Sequence, residues 1–244
     1  MTHHVTRKWP QLDLRSALPP VRDQGQRGTC MAFAVTAVHE AQTLTSEAGV
    51  DLSLHLSEEV LYWGCRQGQP RGTSGASFQQ AQAALTSIGQ PADTFWPYDD
   101  QRDETAASYA PPSGALDPQH CRQATLRSVA FSVDTVAELL AQGYPVAVGI
   151  RIGPAFIAAL GGQIPDVPDP VRLGGHAIVL VGYDEAARPG RRGEFIIRNS
   201  WGSSWGVQGH GFCSGEWLIA NLVGTSAWYV APPSVRPASP VSAL

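Results

Sequence analysis

The spacing of apolar positions changes once along this chain. From residue 31 to about 45, small and apolar residues recur at Ala34, Ala37, Val38, Ala41 and Leu44, the interval of one helix face. The run of alanines there suits a helix packed closely on both sides. A second helix is predicted after Ser57, a good N-cap, with Glu58 and Glu59 in the first turn favouring the helix dipole. A third covers Phe78 to about Ser87, entered through Gly72-Thr73-Ser74-Gly75 and stopped by Gly89-Gln90-Pro91. Thr135 and Glu138 read as a capping box that opens a short helix ending at Gly143. Beyond this point the period is that of strands, at residues 145–150, 176–184, 194–199, 211–213 and 226–230, with glycine-rich turns such as 188–193 between them. Helices first and strands after predict an α+β protein with segregated halves. Residues 99–120 are polar and turn-rich, an exposed connection and a boundary between the halves. The Pro/Ala/Ser stretch 231–244 is expected to be a disordered tail, and residues 1–11 an N-terminal extension.

Composition narrows the function classes. In 244 residues, 43% hydrophobic and 16% charged content belongs to a globular chain able to form one core or two closely packed halves. The net charge of −4 is spread without a basic run, which argues against nucleic acid as a partner. The longest apolar stretches are strand-sized, too short for a membrane span. The first ten residues lack the apolar core of a signal peptide, so the cytoplasm is the expected location; a removed signal or another export route would leave the same sequence. His3 and His4 read as flexible terminal residues. Four cysteines, at 30, 65, 121 and 213, are too few and scattered for a disulfide scaffold, and no CxxC, HExxH, GxSxG, P-loop or GxGxxG occurs. No metal or organic cofactor is implied.

The chemistry lies in three segments. In Gln24-Gly25-Gln26-Arg27-Gly28-Thr29-Cys30, a glycine-bearing turn delivers a cysteine to the first turn of a helix. The helix N-terminus lowers a thiol pKa there, and its free N–H groups can hold a developing oxyanion. A cysteine seen alone reads as a buried structural residue. In Gly174-Gly175-His176-Ala177, a histidine opens a hydrophobic strand after two glycines that leave room for a substrate backbone; alone it reads equally well as a core histidine. In Asn199-Ser200-Trp201-Gly202-Ser203-Ser204-Trp205-Gly206, the asparagine ends a strand. His176 stands 146 positions after Cys30, and Asn199 a further 23. Taken together, a cysteine, a histidine and an asparagine in this order and at this separation weaken the structural reading that each has alone.

These segments resemble the papain-like (C1) cysteine peptidases, in the form of a bacterial-type member without a long propeptide. The resemblance runs from Leu12 to Val230 and includes Leu56-Ser57-Glu58-Glu59 and Trp96-Pro97-Tyr98. It implies a two-lobed fold, with a mainly helical lobe (12–125) and an antiparallel, β-barrel-like lobe (126–230) around an active-site cleft. It also implies catalytic roles: Cys30 as nucleophile, His176 as its base and acid, Asn199 orienting the imidazole under the shield of Trp201, and Gln24 as oxyanion donor. Ser74, Gly75, Ala76, Ser77 and Gly175 would meet the substrate, the small ones leaving room for an apolar side chain. The implied partner is a peptide or protein substrate of a monomer, with neither nucleic acid nor membrane involved.

The chain also departs from the pattern. Met31 follows the nucleophile in place of an aromatic residue, and Arg27 stands where the family carries a disulfide cysteine. Cys65 and Cys121 resemble another disulfide pair, a bond that a cytosolic location disfavours, and Cys213 reads as a buried small hydrophobe. Where eukaryotic members carry a long inhibitory prosegment, only the residues before Leu12 precede the domain. A narrow cleft is the expected restraint, with the 99–120 and 161–173 loops limiting access. Transfer of the acyl group to an amine, and an inactive binding homologue, are the two alternative functions.

Overall fold

The computed structural model describes residues 11–70, 72–166, 171–184 and 194–232. The predicted 188–193 turn, the first ten residues of the extension and nearly all of the tail lie outside these.

Helix α1 (Cys30–Ser46) is led by the cysteine itself and buries its alanine-rich surface on several sides. Helix α2 (Glu58–Cys65) starts where predicted, because Ser57 Oγ accepts the Val60 N–H at 3.1 Å. Helix α3 (Phe78–Ser87) opens with a full capping box: Ser77 Oγ accepts the Gln80 N–H at 3.3 Å, and Gln80 Oε1 accepts the Ser77 N–H at 2.7 Å. Helix α4 (Val133–Ala141) begins earlier than the sequence suggests, since the capping oxygen is that of Ser132, which accepts the Thr135 N–H at 3.0 Å.

The described residues form seven strands, in chain order β1 (Leu12–Asp13), β2 (Thr125–Ala130), β3 (Val146–Ile152), β4 (Gly174–Asp184), β5 (Glu194–Arg198), β6 (His210–Ser214) and β7 (Ser226–Ala231). They form one antiparallel sheet in the order β2-β7-β3-β4-β5-β6, with β1 on the far end of β4. Among the described residues the sheet is open, and with the helices it forms the expected α+β architecture. The two edges of the sheet are covered: Gln82 of α3 donates to the Leu126 carbonyl of β2 at 2.7 Å, and the Ile164 N–H donates to Phe212 of β6 at 2.9 Å. Strand β2 and the short helices α5 (Pro154–Ala158) and α6 (Gly215–Asn221) were not legible as elements. Strand β2 exposes most of its residues, and α6 rests on Ser214 Oγ capping Trp217, in a segment otherwise read as loop.

The sheet separates two cores. Alternation along β4 sends Ala177, Val179 and Val181 towards α1, while Ile178 and Leu180 join Phe156, Phe195 and Trp217 on the other face. All four cysteines are free, so the Cys65–Cys121 bond is not formed: Cys65 is buried, and Cys121 Sγ leans on the Ala115 carbonyl at 3.5 Å. Cys213 is buried in the second core. Among the described residues no helix is long and apolar enough to cross a membrane.

Candidate active site

The loop before α1 and the loop after β5 meet edge to edge. Asp23 bridges Trp201, the Gln24 N–H donates to the Ser200 carbonyl at 2.8 Å, and Ser200 Oγ donates to Gln24 Oε1 at 2.6 Å. These ties bring the start of the first helix beside the end of β5 and the start of β4. Cys30 and His176 thereby line a single cleft of ≈ 560 Å³.

His176 is held on three sides. Ser200 N–H donates to Asn199 Oδ1 at 2.8 Å, which identifies that atom as the amide oxygen. His176 Nε2 lies 2.7 Å from the same oxygen and must therefore carry a proton and donate it, leaving Nδ1 for the cleft. Trp201 covers the imidazole, with ring centroids 4.6 Å apart, and Phe156 of α5 meets both rings nearly edge-on. Burial holds the His176 pKa down at about 4, opposed only by the Asn199 hydrogen bond.

Burial also raises the Cys30 thiol, more than the N–H groups of Ala177, Met31 and Cys30 itself lower it. The sequence argument from the helix N-terminus thus names a real contribution that desolvation outweighs. Each partner alone favours its neutral form.

The predicted substrate residues Ser74, Gly75, Ala76, Ser77 and Gly175 all line the same cleft. Gln24, Asn199 and Trp201 are not among its lining residues. The Gln24 side-chain nitrogen donates one hydrogen to the Arg27 carbonyl at 2.8 Å and has a second to give. Further along, the cleft is walled by residues that sequence reasoning did not single out. Phe78 stacks on Trp228 at 5.4 Å, and Val223 and Gly149 lie beside them. Phe78 was legible only as the start of a helix and Trp228 only as a position in a strand. A Cβ at Gly149 would sit in ordinary contact with Val223 at 3.5 Å and Phe78 at 3.8 Å, so that glycine carried no clear signal. Among the described residues no cluster of His, Cys, Asp or Glu suits a metal ion.

A partly buried thiol and a tethered imidazole facing one cleft, on helices packed against an antiparallel sheet, define a thiol-enzyme type of site. The sequence profile of the papain family cysteine proteases matches residues 9–216. A cathepsin L-like proteinase of Fasciola hepatica is 27% identical over 206 residues, covering 78% of this chain and 55% of its own length. Cysteine proteinase 3 of Entamoeba histolytica is 30% identical over 208 residues, covering 82% of this chain and 60% of its own. Among solved structures, xylellain, a cysteine protease from Xylella fastidiosa, superposes with a TM-score of 0.72 at 27% identity, covering 91% of this chain and 86% of that one. The chain belongs to the papain family of cysteine proteases. It spans little more than half the length of the curated relatives it matches.

Proposed function

We propose that this chain hydrolyses peptide bonds through a Cys30 acyl-enzyme. The observation that supports this most is the shared cleft of Cys30 and His176, with Nε2 committed to Asn199 and Nδ1 left for the sulfur side. Both groups are biased to neutrality, so the reactive pair arises by one proton passing from Cys30 Sγ to His176 Nδ1. The thiolate attacks the scissile carbonyl, and the resulting oxyanion takes hydrogen bonds from the Cys30 N–H and the second Gln24 amide hydrogen. The imidazolium then protonates the leaving amine as the C–N bond breaks. His176 next takes a proton from water as its oxygen attacks the thioester; the C–S bond then breaks, releasing the acid, and the imidazolium returns its proton to Cys30 Sγ. Ser74 and Gly75 carry the acyl-side backbone. The pocket between Phe78, Trp228 and Val223 takes an apolar, preferably bulky, side chain of the substrate.

The test compares wild type with Cys30→Ala on internally quenched peptides, with product masses recorded. Loss of about three orders of magnitude in rate without unfolding is expected, because the substitution removes the nucleophile and little volume. Products that gain the mass of water identify hydrolysis, whereas a new amide identifies acyl transfer. Equal rates for the two proteins would overturn the assignment of Cys30.

A further inference from the structure

Arg27 is the least expected residue near the site, and its surroundings exceed what a surface arginine needs. Its side chain is 7% exposed, and that of Glu59, which it grips, is 0% exposed. The guanidinium forks onto both Glu59 oxygens at 2.8 Å each, donates from Nε to Glu104 at 3.2 Å, and reaches the Asp99 carbonyl at 2.8 Å. It lies within 6.0 Å of the ring centroids of Tyr98, Tyr62 and Tyr109. A planar fork held this way fixes the backbone that carries it.

That backbone leads into both sides of the site. On one side, the Arg27 carbonyl accepts the Gln24 side-chain amide and the Thr29 N–H, each at 2.8 Å. The Tyr98 hydroxyl beside it donates to the Gln24 carbonyl at 2.8 Å and lies 2.8 Å from Thr29 Oγ1. On the other side, Glu104 accepts the Tyr62 hydroxyl at 2.8 Å, and that hydroxyl accepts the Gly75 N–H at 3.3 Å. Arg66, ion-paired to Glu104 at 3.5 Å, donates to the Thr73 carbonyl. The two segments touch at Gly28, where a Cβ would run into Ser74 Oγ. One buried polar cluster therefore fixes the loop carrying Gln24 and Cys30 and the strip carrying Ser74 and Gly75.

We propose that Arg27 is a positioning residue for the reaction, a charged clamp that holds the oxyanion donors and the acyl-side substrate strip in mutual register. The inference rests on the reading of Cys30 as nucleophile and Gln24 as oxyanion donor. Arg27 touches no reacting atom and acts through Gln24 and Gly75. Lysine in its place keeps the charge and loses the fork.

The experiment uses the full chain with Arg27→Lys, Gln24→Ala and the double variant. Arg27→Lys is expected to lower kcat about 10-fold or more, with KM changed far less, as for a displaced oxyanion donor. Alkylation of Cys30 by iodoacetamide needs no oxyanion site and is expected to stay within about threefold of wild type. If Arg27 acts through Gln24, the double variant loses much less than the product of the two single losses. A multiplicative loss in the double variant, or unchanged kcat in Arg27→Lys, overturns the proposal. Should Arg27→Lys fold poorly, Glu104→Gln weakens the same clamp with the arginine retained.

Amide exchange supplies a readout independent of turnover. The Thr29 and Gly75 N–H groups are expected to exchange faster together in the clamp variants, while Val179 in β4 stays protected. Independent or unchanged exchange at Thr29 and Gly75 overturns the clamp even in a chain that cleaves no peptide. Wild type cleaving no better than Cys30→Ala, with joint exchange intact, overturns the nucleophile assignment alone.

Discussion

On the helical side of the cleft, the segment leading into Cys30 is fixed by charge: one guanidinium shared between two carboxylates and ringed by three tyrosines. On the sheet side, His176 is fixed by rings: Trp201 over its face, Phe156 at its edge, and Trp205 and Trp217 packed against Phe156. In the proposed mechanism the two sides have different tasks. An oxyanion site consists of N–H groups whose direction matters to a fraction of an ångström, and forked hydrogen bonds are directional. The rings on the other side exclude water from the imidazole, and that burial favours its neutral form.

The largest effect expected from breaking this contrast is on stability. Glu59 is fully buried and accepts Arg27 on both oxygens, Arg102 and the Tyr109 hydroxyl. Glu59→Ala leaves the buried Arg27 without its main partner, a change that typically costs about 3–5 kcal/mol. Urea unfolding of the two proteins measures this. A loss below about 1 kcal/mol, the value of an exposed pair, would mean that the cluster is looser than its geometry.

Next in size is a change on the sheet side that moves a pKa instead of the fold. Trp201 is only partly buried, so Trp201→Ala should unfold little. It does admit water to the His176–Asn199 bond. Since burial is what holds His176 at about 4, removing the ring should raise its pKa towards the ordinary histidine value. NMR titration of His176 in a Cys30→Ala background reads this directly, free of thiol titration. An unchanged value would transfer the effect from Trp201 to Phe156.

The contrast also explains what could be read from the sequence. Ser57 and Ser77 act as caps through contacts three residues away, and both helices they open were legible. The order of Cys30, His176 and Asn199 was legible because each is chemically distinctive. Arg27 carried a signal only as a departure from a family pattern. Its meaning depends on Glu59 and Glu104, which lie 32 and 77 positions away and are unremarkable as letters. Phe156 and Phe78 likewise look like any apolar residue until the fold sets one against His176 and the other against Trp228. Ser132 shows the limit of local rules: Thr135 and Glu138 fitted a capping pattern, yet a better-placed hydroxyl one turn earlier won.

A smaller, pH-dependent effect follows from three histidines kept neutral by burial. His39, His176 and His210 all have pKa values lowered to about 4, with desolvation the leading cause in each. His39 is buried against Gln90, donating from Nδ1 to its side-chain oxygen at 2.9 Å. Protonation at these sites favours the unfolded chain, where histidine titrates near its usual value. Their contribution is complete above about pH 6.5 and is lost as the pH falls towards 4. The urea midpoint should drop across that interval, and His39→Gln, neutral at every pH, should flatten the drop. A slope unaffected by His39→Gln would remove that residue from the account.

The smallest effect expected is that of a reducing agent. Where the family carries a disulfide cysteine this chain has Arg27, and Cys65 and Cys121 are both free. The Cys65 thiol is pushed up to about 12 by burial, so it forms little of the thiolate that disulfide exchange requires. Cys213 is buried deeper still, its thiol raised further beside Asp166 and Glu194. Only Cys30 opens on the cleft. Dithiothreitol should therefore leave the thermal midpoint within about 1 °C, where loss of a native disulfide of 2–4 kcal/mol would lower it by several degrees. Reductant should protect activity by keeping Cys30 reduced. A large fall in the midpoint would reveal a covalent tie, and the clamp around Arg27 would then share its task with a disulfide.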